Sequence, residues 1–174
     1  MPGVAYPVRA PLLDLADDAL RDLGVPIEPI EWTVPDGLPS LGSEPFVRAH
    51  VSAALHRLTA AEPEAQPVII AKSFGTHAAA LAAERKLPAI WLTPLLTNAA
   101  IVAAIARNPA PALVVCGTAD KYWIPEAAAV TGKTVLTIED GDHGLRPPGE
   151  LRAYTDALGT VAMAMAEFLA ELAE

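Results

Sequence analysis

The chain has 174 residues, of which 52% are hydrophobic and 19% charged; this suits one domain with a full apolar core and argues against disorder. Twelve basic residues against twenty-one acidic ones give a formal charge of -9, which disfavours binding to nucleic-acid phosphates and to anionic membrane surfaces. The single cysteine, Cys116, excludes an intrachain disulfide and fits a reducing, cytoplasmic setting.

The opening residues lack the apolar core of a signal peptide, and no uninterrupted apolar stretch is long enough to span a bilayer. Leu12, Leu15, Ala19 and Leu23 recur at helical spacing, which predicts a helix over Pro11–Leu23 with Gly24 as its stop. Residues Ile27–Thr33 read as a short strand, placed at an edge or a bulge by Pro29. Loop chemistry follows over Val34–Gly42, then a helix over Pro45–Ala60. Apolar strands are expected at Pro67–Ala71, Ala89–Leu92, Ala112–Cys116 and Thr134–Ile138. Between them, helices are expected at Thr76–Arg85 and Asn98–Arg107, and a long alanine-rich helix runs from Glu150 to the end. This alternation implies βα units and a three-layer sandwich around a mainly parallel sheet. The strands show no polar alternation, as expected when both faces are covered.

In such sheets chemistry collects at the carboxyl ends of the strands. Three polar residues fall there, in the order Ser73, Asp120, His143. Residues 71–75 read AKSFG, the G-x-S-x-G nucleophile elbow with alanine in its first position. The elbow needs small residues on either side of the serine, because strand and helix approach closely across a strained turn. A neutral imidazole at His143 can take the serine proton near neutral pH. Asp120, in the turn GTAD, is the candidate that orients the imidazole. Asp140 is the runner-up. Asp142 is set aside because adjacent residues rarely point the same way. Each residue also has an ordinary reading: a helix-capping serine, a turn aspartate, a surface histidine. Their joint placement and order favour a hydrolytic triad.

The strand–AKSFG–helix unit, the GTAD turn and the GDHGL loop resemble the α/β-hydrolase superfamily. They are most similar to its small, lidless, dienelactone-hydrolase-like members, over most of the chain. The resemblance implies that the opening loop supplies a second oxyanion N–H, from Gly3 to Tyr6, with Val4 or Ala5 the favoured donor beside Phe74. It also implies an apolar strand ahead of that loop, and this chain starts at Met1-Pro2 without one. The expected sheet is therefore shortened at its N-terminal side. A gap should lie beside Val68–Ile70, with Ile27–Thr33 holding its family position.

Phe74 and Trp123 are candidate pocket walls, His77 is expected to pack behind the elbow, Lys72 to be exposed, and Cys116 to be buried and inert. His50 and His56 do not share a helical face, and no residues stand at metal-ligand spacing, so neither metal nor cofactor is expected. KSFGT is not a phosphate-binding loop, and no dinucleotide fingerprint follows a strand. The reading is a serine hydrolase for a small carboxylic ester or thioester, with no nucleic-acid or membrane partner. Its rival is a non-catalytic interaction protein on a degenerate hydrolase scaffold.

Overall fold

In the computed structural model, which describes residues 1–38 and 42–173, the four apolar runs form one parallel sheet. The strands are β1 (Ile69–Lys72), β2 (Ala89–Leu92), β3 (Ala112–Gly117) and β4 (Thr134–Ile138), ordered β1-β2-β3-β4. Register is set by pairs such as Ile70 with Ile90, Ile90 with Leu113, and Val115 with Leu136. β1 starts two residues later than Pro67, which has no N–H to give a ladder. It then runs into a 3₁₀ segment, Ser73–Ala78, where a regular helix was expected to begin at Thr76.

The helices are α1 (Pro11–Asp22), α2 (Ser43–Ala61), α3 (Ala79–Arg85), α4 (Ala99–Arg107), α5 (Pro125–Val130) and α6 (Leu151–Ala173). Successive strands are neighbours, so right-handed crossovers put α3, α4 and α5 on one face. On that face α2 joins them: Val47, Val51 and Leu55 share a core with Ala71, Trp91, Val114 and Cys116. The other face belongs to α1 and α6, where Leu12, Val161 and Met165 meet Ile90, Leu92, Leu113 and Val115. Alternate residues of β2 and β3 thus feed two cores, which is why both strands read as unbroken apolar runs. Trp91, Ile90 and Leu92 are fully buried, and each contributes roughly 1.5–3 kcal/mol by leaving water. Among the described residues, no helix is long and apolar enough to cross a membrane.

Three expectations are corrected. Residues 27–33 form no strand: Pro26 and Pro29 lack N–H donors, and Trp32 turns into an aromatic cluster with Phe46, His50 and Phe74. At the free edge of β1 the Met1 amine donates to the Ile70 carbonyl at 2.7 Å, and Lys72 N–H donates to the Met1 carbonyl at 3.1 Å. Beside it an apolar cleft of about 440 Å³ lies between α1, α2 and residues 25–31, so the expected gap beside Val68–Ile70 is present. β4 is an edge strand whose Thr134, Val135 and Thr137 are exposed, so it is not covered on both sides. Finally, α5 interrupts the stretch between β3 and β4, which was read without a helix. Of the loop expected at 34–42, residues 39–41 lie outside the described residues, as does Glu174 at the end of the last helix.

Candidate active site

β1 delivers the nucleophile candidate through a left-handed residue. Ser73 has φ 51°, a region that costs a residue with a side chain and that persists only when its surroundings impose it. The turn needs small neighbours for a visible reason. A Cβ at Gly75 would stand 3.2 Å from the Ala71 methyl and 3.3 Å from the Pro2 carbonyl oxygen. Alanine at position 71 is tolerated because position 75 is glycine. Thr76 Oγ1 donates to the Ser73 carbonyl at 2.6 Å and closes the turn.

The three polar residues converge. His143 Nε2 lies 2.8 Å from Ser73 Oγ, and Nδ1 lies 2.7 Å from Asp120 Oδ2. Asp120 sits in an Asx turn after β3, where its Oδ1 accepts from Tyr122 N–H at 3.0 Å. Its side chain is 2% exposed, whereas the His143 side chain is 32% exposed, so the site is reached over the imidazole. The runner-up acids are occupied elsewhere. Asp142 Oδ1 accepts from the N–H groups of Gly144 and Arg146 and shapes the histidine loop. Asp140 is exposed, has φ 53°, and donates its N–H to Thr118 Oγ1.

Phe74 is second in the 3₁₀ segment, where an N–H has no intrahelical partner. Its side chain is buried, 5.9 Å from Trp32 and 5.4 Å from His77 between ring centres. His77 therefore packs behind the elbow as expected, and burial lowers its pKa. In the opening loop Gly3 N–H donates to the Tyr6 carbonyl, which leaves Val4 and Ala5 exposed at the tip. The Tyr6 hydroxyl accepts from Leu12 N–H and so caps α1. Burial pushes this phenol up to about 12.

One side chain falls elsewhere than expected. Lys72 is not exposed: it is 2% exposed, because strand alternation turns it to the same side as Ile70. Its Nζ donates to Thr93 Oγ1 and to the His143 carbonyl, both at 2.9 Å. Trp123 packs against the core beneath α2–α5, and it is Tyr122 whose ring faces His143, at 4.9 Å between centres. The signal for Tyr122 was the turn itself, since the residue two after an Asx-turn aspartate is held by it. Among the described residues, no group of three His, Cys, Asp or Glu side chains could hold a metal ion.

Cys116 is buried in β3, and burial, with Asp120 adding to it, pushes its thiol up to about 12. Alkylation by iodoacetamide at pH 8 is therefore expected to be negligible in the folded protein and rapid in denaturant. Fast native-state modification, read by mass spectrometry, would contradict this.

No protein-family profile and no curated protein matches the sequence. Solved structures do. An alpha-beta serine hydrolase homologue from Coxiella burnetii superposes with a TM-score of 0.66 at 14% identity, over 94% of this chain and 78% of that one. An α/β serine hydrolase without a lid from Xanthomonas campestris gives 0.63 at 18% identity, over 94% and 76%. The esterase domain of a Rhodothermus marinus protein gives 0.52 at 15% identity, over 68% and 66%. With its parallel sheet, its helices on both faces and these structural neighbours, the chain has an α/β-hydrolase fold, in a version with four strands among the described residues.

Proposed function

We propose that this protein is a serine hydrolase acting on a small carboxylic ester or thioester through an acyl-Ser73 intermediate. The observation that carries the reading is the unbroken chain from Ser73 Oγ through the imidazole to Asp120, at 2.8 and 2.7 Å, on a left-handed serine. Ser73 Oγ attacks the acyl carbon while His143 Nε2 takes its proton. Asp120 holds the Nδ1 proton in place and stabilises the imidazolium. The oxyanion is received by Phe74 N–H and by Val4 or Ala5 N–H. His143 then protonates the departing alcohol or thiol, and water releases the acyl group by the same path.

A small, accessible substrate fits the short connections at this end of the sheet, since residues 93–98 lead straight into α4. One structural neighbour is described as an esterase domain, in keeping with an ester substrate. A single buried cysteine supports assignment to a reducing compartment, the cytoplasm. We take the partner to be the small-molecule substrate alone.

The test is labelling by a fluorophosphonate probe, which reacts rapidly only with an activated serine. The wild-type protein is expected to label at Ser73 and to hydrolyse p-nitrophenyl acetate. Ser73→Ala is expected to abolish labelling and to leave activity at least about 10³-fold lower. A wild-type protein that does not label would move the reading to a non-catalytic binding protein on this scaffold.

A further inference from the structure

Lys72 stands immediately before the nucleophile candidate, yet it takes no part in the proton path described above. Burying an ammonium group is costly unless it is well partnered, and an apolar side chain would fill the same space without that cost. Its partners are arranged around one point. Thr93 Oγ1, at the end of β2, and the carbonyl of His143 each accept at 2.9 Å. The Tyr6 ring lies 4.7 Å from Nζ and offers its negative face. Thr93 is itself fully buried and sits in the left-handed region, with φ 43°. One side chain thus joins the nucleophile strand, the next strand, the opening loop and the residue that carries the base.

We propose that Lys72 is a positioning residue for the triad: held by Thr93, its ammonium group pins the backbone of His143 and so keeps the imidazole on Ser73. The inference rests on the hydrolase reading. Among the described residues, no other side chain donates to the His143 carbonyl. Apart from the triad contacts of the imidazole, the hydrogen bonds of that loop are local or reach the turn after β3: Gly141 N–H to the Ile138 carbonyl, Asp142 N–H to the Arg146 carbonyl, Leu145 N–H to the Asp142 carbonyl, the two backbone N–H bonds to Asp142 Oδ1, Ala119 N–H to the Gly141 carbonyl, and Asp140 N–H to Thr118 Oγ1. They fix the shape of the loop. Lys72 fixes its distance from β1.

The titratable groups facing Lys72 are Tyr6, Asp120, Asp142 and His143, with Tyr154 of α6 acting on Tyr6. Burial lowers Lys72 to about 8, and Asp120 and Asp142 oppose that shift. At neutral pH it is charged.

The experiment compares wild type, Lys72→Met, Lys72→Arg and Thr93→Val as full chains. It reads fluorophosphonate labelling, kcat and KM on p-nitrophenyl acetate, and the His143 ring resonances by NMR. Lys72→Met is expected to lower labelling and kcat by about tenfold or more, with KM within about twofold, and to shift the His143 ring resonances as the imidazole leaves Ser73. Lys72→Arg, which keeps charge and donors, is expected to return those resonances toward their wild-type positions. Thr93→Val removes one of the two oxygen partners and keeps the ammonium. It is expected to cost a smaller factor in kcat, about threefold, and it decides the matter should Lys72→Met not fold. A wild type that labels together with Lys72→Met, or failing that Thr93→Val, labelling equally fast overturns this inference alone. A wild type that never labels defeats the hydrolase reading instead. In that case unmoved His143 ring resonances in Lys72→Met also overturn the positioning role.

Discussion

Asp120→Asn is expected to lower kcat by about 10⁴-fold, the loss seen when the acid of a serine-protease triad becomes an amide. The reason lies in one contact. Asp120 Oδ2 faces His143 Nδ1 at 2.7 Å. An asparagine can keep its Oδ1 on the Tyr122 N–H and so keep the turn, but its NH₂ group then points at Nδ1. The imidazole answers by moving its proton to Nε2, where it can no longer accept from Ser73. Binding should survive, so KM changes little and the loss sits in kcat. Asp140→Asn and Asp142→Asn serve as comparisons. Asp142 accepts two backbone N–H groups through Oδ1, and an asparagine oxygen does the same, so both variants should stay within about threefold of wild type. An inactive Asp142→Asn with an active Asp120→Asn would sink the assignment of the acid.

The second large effect is structural. A Cβ at Gly117 would stand 2.0 Å from the Gly141 carbonyl oxygen and 2.7 Å from that of Asp142. Both are backbone atoms of the histidine loop and cannot swing aside. Gly117→Ala must therefore push that loop off the end of β3, at about 3–5 kcal/mol. For a chain of this length that lowers the melting temperature by roughly 10 °C. Esterase activity should fall with it, because the displaced loop carries His143. Gly159→Ala is the informative companion. Gly159 lies exposed within α6 with nothing near its missing side chain, so the alanine should stabilise the protein by about 0.5–1 kcal/mol. Equal melting temperatures for Gly117→Ala and wild type would contradict the close approach.

The site was legible in sequence because its chemistry needs particular residue types where parallel strands end. Ser73 and Asp120 each follow a buried apolar strand, His143 follows the half-exposed β4, and the structure brings the three within hydrogen-bond reach along one chain of contacts. The two sheet faces were legible in β2 and β3 for the same reason. What escaped is whatever depends on direction rather than type. Lys72 reads as a surface residue by composition, and only the side to which β1 turns it, beneath the Tyr6 ring, makes it interior. Tyr122 and Trp123 are equally aromatic, and the Asx turn at Asp120 decides which one meets the imidazole. Residues 27–33 alternate like a strand, but their prolines and the pull of Trp32 toward Phe46 and Phe74 outweigh a pattern that has no ladder to join.

The strand order β1-β2-β3-β4 also bears on how the polypeptide reaches this state. Each strand docks beside the one made just before it, so the sheet can grow in step with synthesis, one short connection at a time. At every stage one edge is bare. After residue 117 that edge is β3, every residue of which ends up buried, a six-residue apolar ladder suited to wrong pairing with another chain. β4 relieves this. Two of its five residues are exposed threonines, and its outer edge is a far poorer template for association than the strand it covers. The final strand thus works as a stopper for sheet growth, and weakening it should appear first as aggregation during refolding, before any loss of secondary structure in the folded protein.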